Sequence, residues 1–210
     1  MVPLTRFWER YNRIAMGVLA GLVAVGAIGY FALRSRRAAE EAAAGKLTEA
    51  SIRYWQYGDY KGSLEIARET ASQYGSTPSG LEAHRQAADA AYWDGDFKTA
   101  VAEYRRYLAT NPPGLLADAA RRSYAYALES DGQVVEAAKE YDALVGRFDR
   151  GSSAEFLIAA ARCLVVAHQT PAAIEHLRRL MNEFGETEYA NQALVEIAEL
   201  EAAGSGKPNP

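Results

Sequence analysis

An uncharged run near the N-terminus, a turn signature that returns every 37 residues and helical spacing of the small and apolar residues around each turn together predict an all-α protein. The expected architecture is a single N-terminal transmembrane helix followed by a right-handed helical solenoid of about four helix-turn-helix units and a C-terminal capping helix. The 210 residues are 49% apolar, 24% charged and 10% aromatic, enough for one globular domain with an appendage and unlike a disordered or collagen-like chain. Residues 1–13 read as a short tail, 14–33 as the transmembrane helix, 34–45 as a helical linker, 46–203 as the solenoid and 204–210 as a disordered tail. Within the solenoid the units fall at about 46–78, 79–114, 115–152 and 153–186, with the cap at 187–203.

Ile14 to Leu33 is twenty residues without a charge, and a helix of that length spans the roughly 30 Å hydrocarbon core of a bilayer. Arg6, Arg10 and Arg13 precede it, so a cleaved signal peptide is the competing reading, with Ala42, Ala43 and Ala44 as a small-residue cleavage site. A signal core is only about 7–15 residues long, however, and Arg34, Arg36 and Arg37 close the run as a stop-transfer signal does. No cysteine stands near the run, which excludes a lipid-anchored N-terminus there. Three arginines on each side leave the positive-inside count nearly tied; N-in with a periplasmic solenoid is the expected orientation, and the opposite one stays open. Gly17 and Gly21 form a GxxxG extended by Ala20 and Ala24, a face on which a second helix could approach closely, although glycine and alanine are also common in spans. Arg34 to Gly45 is nearly all Ala, Glu and Arg, so the helix is expected to continue outward.

The repeat is carried by Gly58-Asp59-Tyr60, Gly95-Asp96-Phe97 and Gly132-Gln133-Val134, each 37 residues after the last, with His168-Gln169-Thr170 following at 36. Five residues after each turn sits a small residue (Ser63, Ala100, Ala137, Ala173), and seven before it another (Ser51, Ala88, Ala125, Ala161). Small residues at both places let two antiparallel helices cross closely. Loops fall at Tyr74–Ser79, Pro112–Leu115 and Phe148–Ser152, where Gly, Pro and Ser cluster. Thr187 reads as the N-cap of a final amphipathic helix that buries Ala190, Leu194, Ile197 and Ala198 and closes the solenoid.

Gly95-Asp96-Phe97 followed by Ala100, Tyr104 and Pro112 resembles the tetratricopeptide repeat (TPR), and the resemblance extends over roughly Lys46 to Gly185. It weakens at the fourth unit, where His168 replaces the turn glycine and Pro171 follows. The phrasing around Phe184-Gly185 and Tyr74-Gly75 is similar to that of periplasmic repeat proteins of bacterial envelopes. An anchor followed by repeats also resembles the architecture of the ancillary subunit of the bacterial Sec translocon.

The sequence holds no motif for catalysis. Nucleophile elbow, Walker loop, dinucleotide fingerprint, HExxH and calcium loop are all missing, and the three histidines have no metal-ligand spacing. A lone cysteine, Cys163, lies in the apolar stretch Leu157–Ala167 and reads as a buried structural thiol. Up to Lys46 there are seven Lys/Arg against three Asp/Glu, whereas the remainder holds 16 against 24; such an acidic domain is ill suited to nucleic acid. The expectation is a non-enzyme without catalytic, cofactor-binding or metal residues, partnered by protein and by the lipid bilayer.

Repeat geometry places the first helix of each unit on the concave side. The positions ten, six and three before each turn are then Thr48, Ile52 and Trp55; Arg85, Asp89 and Tyr92; Arg122, Tyr126 and Glu129; Ile158, Arg162 and Val165. From these, Trp55, Arg85, Tyr92, Arg122, Tyr126 and Arg162 form the candidate protein-binding groove, its arginines suited to carboxylates and its aromatics to flat apolar contact. Family members that grip a C-terminal carboxylate use a lysine and asparagine pattern here; Arg85 and Arg122 take one place, but Asp89 and Tyr126 stand where the asparagines would. Gly17, Gly21 and Ala24 are the candidate helix-packing residues. Anchor and repeats together imply a tethered adaptor at the bacterial inner membrane that presents clients or chaperones to a secretion or envelope-assembly machine; the alternative is a structural accessory subunit assembled through its transmembrane helix.

Overall fold

The computed structural model describes residues 3–204, which form nine α-helices and no strand; residues 1–2 and the expected tail beyond Gly204 lie outside the described residues. Helix α1 runs unbroken over Pro3–Ile52, so the regions read separately as tail, span, linker and start of the first unit are one rod about 75 Å long. After Pro3 no proline interrupts it, and the Ala- and Glu-rich stretch between span and repeats propagates the helix. A π-helical turn, Arg53–Tyr57, ends the rod. Seven of the remaining helices then alternate in direction: α2 (Tyr60–Tyr74), α3 (Pro78–Asp94), α4 (Phe97–Ala109), α5 (Gly114–Ser130), α6 (Val134–Leu144), α7 (Arg150–Val166) and α8 (Thr170–Phe184), closed by α9 (Tyr189–Gly204).

The four turns within the units share one geometry. Gly58, Gly95 and Gly132 take left-handed φ values of 63°, 85° and 79°, and His168 adopts φ 59° in the same place, so the fourth unit keeps the turn despite losing its glycine. Asp59 and Asp96 then cap α2 and α4, accepting hydrogen bonds from the amides of Gly62 and Thr99 at 2.9 and 3.0 Å. Seven of the eight small residues at the helix crossings are sealed, with Ser63, Ala88, Ala100, Ala125, Ala137, Ala161 and Ala173 fully buried, whereas Ser51 in the first unit is only half-buried. Around them Leu128, Phe156, Leu157 and Leu177 are fully buried, each contributing about 1.5–3 kcal/mol.

The loops between units are shorter than their composition indicates. Helix α5 begins at Gly114, and α7 begins at Arg150 because Asp149 accepts from both the amide and the hydroxyl of Ser152, at 2.9 and 2.8 Å. Thr77 caps α3, accepting from the Gly80 amide at 3.0 Å while donating to the Tyr74 carbonyl at 2.8 Å. Thr187 keeps only the second of these bonds, donating to the Phe184 carbonyl at 2.7 Å, and α9 starts two residues later. The face of α9 is also rotated from the expected one. Tyr189, Ala193, Ile197 and Leu200 meet the core, whereas Leu194 is 56% exposed, because the small Ala193 marks the close approach to the preceding helices.

On the outer side a buried carboxylate joins the first two units. Glu103 of α4 is only 2% exposed and meets His84 Nδ1 at 2.7 Å, Arg106 at 2.6 Å and Arg68 of α2 at 3.5 Å. Burial alone would raise its pKa, but the bond to His84 and the charges of Arg106, His84 and Arg68 together hold it below its ordinary value of 4.5. A carboxyl lowered on folding contributes stability that is present above its unfolded pKa and lost as pH falls through the folded one. Replacing Glu103 by Gln is therefore expected to cost about 1–3 kcal/mol at neutral pH and to flatten the acid limb of a thermal-unfolding series; an unchanged limb would show the cluster to be inert.

Candidate functional site: the concave groove

The groove residues come from α3, α5 and α7 with the end of the α1 rod, and the structure gives each a distinct setting. Trp55 is 78% exposed, its ring meeting the edge of Tyr54 at 4.7 Å. Arg85 spends its guanidinium inside the chain, on Glu82 and, at 2.6 Å, on Asp89. Arg162 is likewise engaged, in a two-point contact with Glu129 at 2.7 and 3.0 Å. Burial would raise the Glu129 carboxyl, but hydrogen bonds from Arg162 and Tyr141 hold it low and charged. Among the described residues Arg122 is the groove arginine without an ion pair; it is exposed, with its guanidinium carbon 5.8 Å from the centre of the Phe148 ring. The expectation that all three arginines await a carboxylate thus narrows to Arg122, since neighbouring acids on the same or the preceding unit reach the other two first.

Tyr92 and Tyr126 are half-buried, each packed against the hydrophobic core with part of its surface left to solvent. Tyr92 meets Trp93 edge-on at 6.0 Å and Phe97 at 5.5 Å, while Tyr126 lies against Tyr141 at 5.8 Å and donates its hydroxyl to Glu155 at 3.3 Å. The two tyrosines face one cavity of about 140 Å³, completed by Asp89, Trp93, Tyr104 and Ser123. Tyr104 donates to Asp89 at 2.5 Å, a contact between the two helices of one unit that periodicity along either helix does not reveal. Arg162 lies elsewhere, in a cleft of about 360 Å³ between α7 and α9 that also involves Ile158, Val165, Gln192 and Glu196. Ile158 itself is 5% exposed, more a core residue than a groove residue.

No group of three or more His, Cys, Asp or Glu side chains is arranged to hold a metal among the described residues. Cys163 is 1% exposed, and burial together with the Glu129 charge pushes its thiol up to about 12, a setting without nucleophilic character.

The apolar part of α1 stands clear of the solenoid. It is long and apolar enough to cross a membrane, with Leu22 64% and Phe31 65% exposed, and nothing of the chain covers the places where a Cβ would project from Gly17 or Gly21. Gly17, Gly21 and Ala24 are all exposed.

The stacked antiparallel helix pairs and their shared turns define a TPR-like helical-repeat fold. Among solved structures the chain is similar to a kinesin light chain-type protein of Podosopora anserina with nearly identical TPR-like repeats, at 18% identity and a TM-score of 0.52 over 76% of this chain and 95% of that one. A single-substitution variant of that protein aligns with a TM-score of 0.53 at the same 18% identity, over 78% and 96% of the two chains. At this identity the likeness establishes the fold. No family model and no curated protein matches the sequence.

Proposed function

We propose that the chain is a membrane-tethered scaffold whose concave face holds partner polypeptide, stationed at the bacterial inner membrane with its solenoid in the periplasm, where it presents clients or chaperones to a secretion or envelope-assembly machine. It does so without cofactor or catalysis. The observation that carries this reading is the unbroken α1, which couples a fully exposed apolar stretch to the first repeat with no hinge between them. Glu40 accepts from the Ser79 hydroxyl at 2.7 Å and from its amide at 3.1 Å, which fixes the first turn of α3 about 10 Å along the rod from Leu33. A groove held that near the bilayer meets membrane-bound machinery at raised local concentration. The exposed aromatics and Arg122 supply the anchors that bind polypeptide.

The Arg122→Glu, Tyr126→Ala double variant is expected to reduce partner co-purification from neutral-detergent extracts by about tenfold or more, with thermal unfolding still a single transition. Unchanged capture removes the groove from the function. A second reading, a structural subunit assembled through its span, is favoured by the uncovered Gly17 and Gly21. Under it, Gly17→Leu with Gly21→Leu abolishes assembly while the groove variant has no effect.

A further inference from the structure

The cavity between α3, α4 and α5 is too small for an ordinary small-molecule ligand, which needs about 300 Å³ or more, but it suits the head group of one side chain. Its walls are chemically one-sided. Tyr92, Trp93, Tyr104 and Tyr126 contribute four aromatic rings, whose faces carry negative electrostatic potential, and Asp89 contributes a carboxylate at the base. Trp93 is 61% exposed and stacks on Tyr60 at 6.4 Å, so a broad aromatic surface leads up to the opening.

The charges around the cavity also sum to a negative value. Asp89 receives Arg85 at 2.6 Å and the Tyr104 hydroxyl at 2.5 Å, but Arg85 is shared with Glu82, and Glu155 of α7 approaches behind Tyr126. The charged side chains that act on the lining are Glu82, Asp89 and Glu155 against Arg85 and Arg122, a balance of one negative charge. Burial raises the Asp89 carboxyl above its ordinary pKa, with Arg85 and Tyr104 offsetting part of the rise, so its charge is held at a cost that a second cation would relieve. An acidic ligand group would meet that charge and the ring faces with repulsion from both.

We infer that this cavity is a cation subsite, taking the guanidinium or ammonium of an arginine or lysine of a polypeptide that lies in the groove. The inference rests on the groove reading above and gives it a chemical preference opposite to carboxylate recognition, with Arg122 left to engage acidic or polar groups further along the strand.

The test uses the full chain in neutral-detergent micelles and a fluorescein-labelled Gly/Ser-rich peptide with arginine at every third position, compared by anisotropy with the same peptide carrying glutamate. The arginine peptide is expected to bind and the glutamate peptide not. Asp89→Asn is expected to weaken arginine-peptide binding by about tenfold, and so is Trp93→Leu, a change at an exposed ring that leaves the Arg85 network in place. A general attraction to this acidic domain would persist in both variants, and that result overturns the subsite. Equal binding of the glutamate peptide, or no binding of the arginine peptide, also overturns it. Polypeptide capture in the groove that survives any of these results leaves the scaffold function standing without its cation preference.

Discussion

Gly80→Ala is expected to destabilise the solenoid by about 3 kcal/mol or more, a fall of roughly 6–12 °C in the midpoint of thermal unfolding. A Cβ at this position would lie 1.9 Å from the Tyr74 carbonyl oxygen and 2.4 Å from its carbon, so the first turn of α3 sits directly on the last turn of α2 with room for hydrogen only. The obstacle is backbone, which does not rotate aside as a side chain does. Relief requires α2 and α3 to separate, which weakens the Thr77 cap on the Gly80 amide and the pair of bonds from Ser79 to Glu40. The junction between rod and repeats therefore suffers along with the first unit. Gly95→Ala is the control: its φ of 85° is strained for alanine but open space surrounds it, and a loss of about 1 kcal/mol is expected. Circular dichroism melts of both variants check the difference. A Gly80→Ala protein that unfolds within about 1 kcal/mol of the parent would mean that the two helices do not meet as described.

Removing residues 1–33 is expected to move the protein completely from the membrane pellet to the soluble fraction while leaving the repeats folded. Every residue described at the side-chain level between Ile14 and Leu33 is exposed, and a soluble monomer does not present a continuous apolar surface of that extent. Residues beyond Arg34 must be kept, because Ala43 and Ala50 are fully buried and Tyr54 is 9% exposed, so the outer part of α1 belongs to the solenoid core. Carbonate extraction of the full chain and sedimentation of the truncated one read the result. A full chain released by carbonate would show that the apolar stretch is covered by protein, not lipid.

Much of this architecture is legible in the sequence because it depends on local chemistry. Turn geometry is set by residues that tolerate positive φ, and tight helix crossings require small side chains, so the 37-residue recurrence of Gly58, Gly95 and Gly132 with Ala100 and Ala137 locates units directly. His168 shows the limit of such reading: backbone hydrogen bonds from His168 to Val165 and from Gln169 to Leu164 close the turn with His168 at φ 59°, where the sequence alone indicates a decayed turn. Side-chain partners are less legible, since they depend on how far each helix rotates about its axis. Residue spacing places Arg85 and Arg162 on the concave side and already sets Glu82 and Asp89 one turn from Arg85 on the same helix, but only the packed helices bring Glu129 to Arg162. The same rotation turns Leu194 outward and Ala193 inward on α9, and it aims Tyr104 at Asp89 to form the base of the cavity.

The most direct test of the scaffold reading is site-specific photo-cross-linking from position 126 of the full chain in intact membranes, followed by mass-spectrometric identification of the products. The account predicts cross-links to unfolded client polypeptide or folding factors at that position, lost when Arg122 is changed to Glu. Capture of a single integral membrane complex through the span, with no product at position 126, would contradict it.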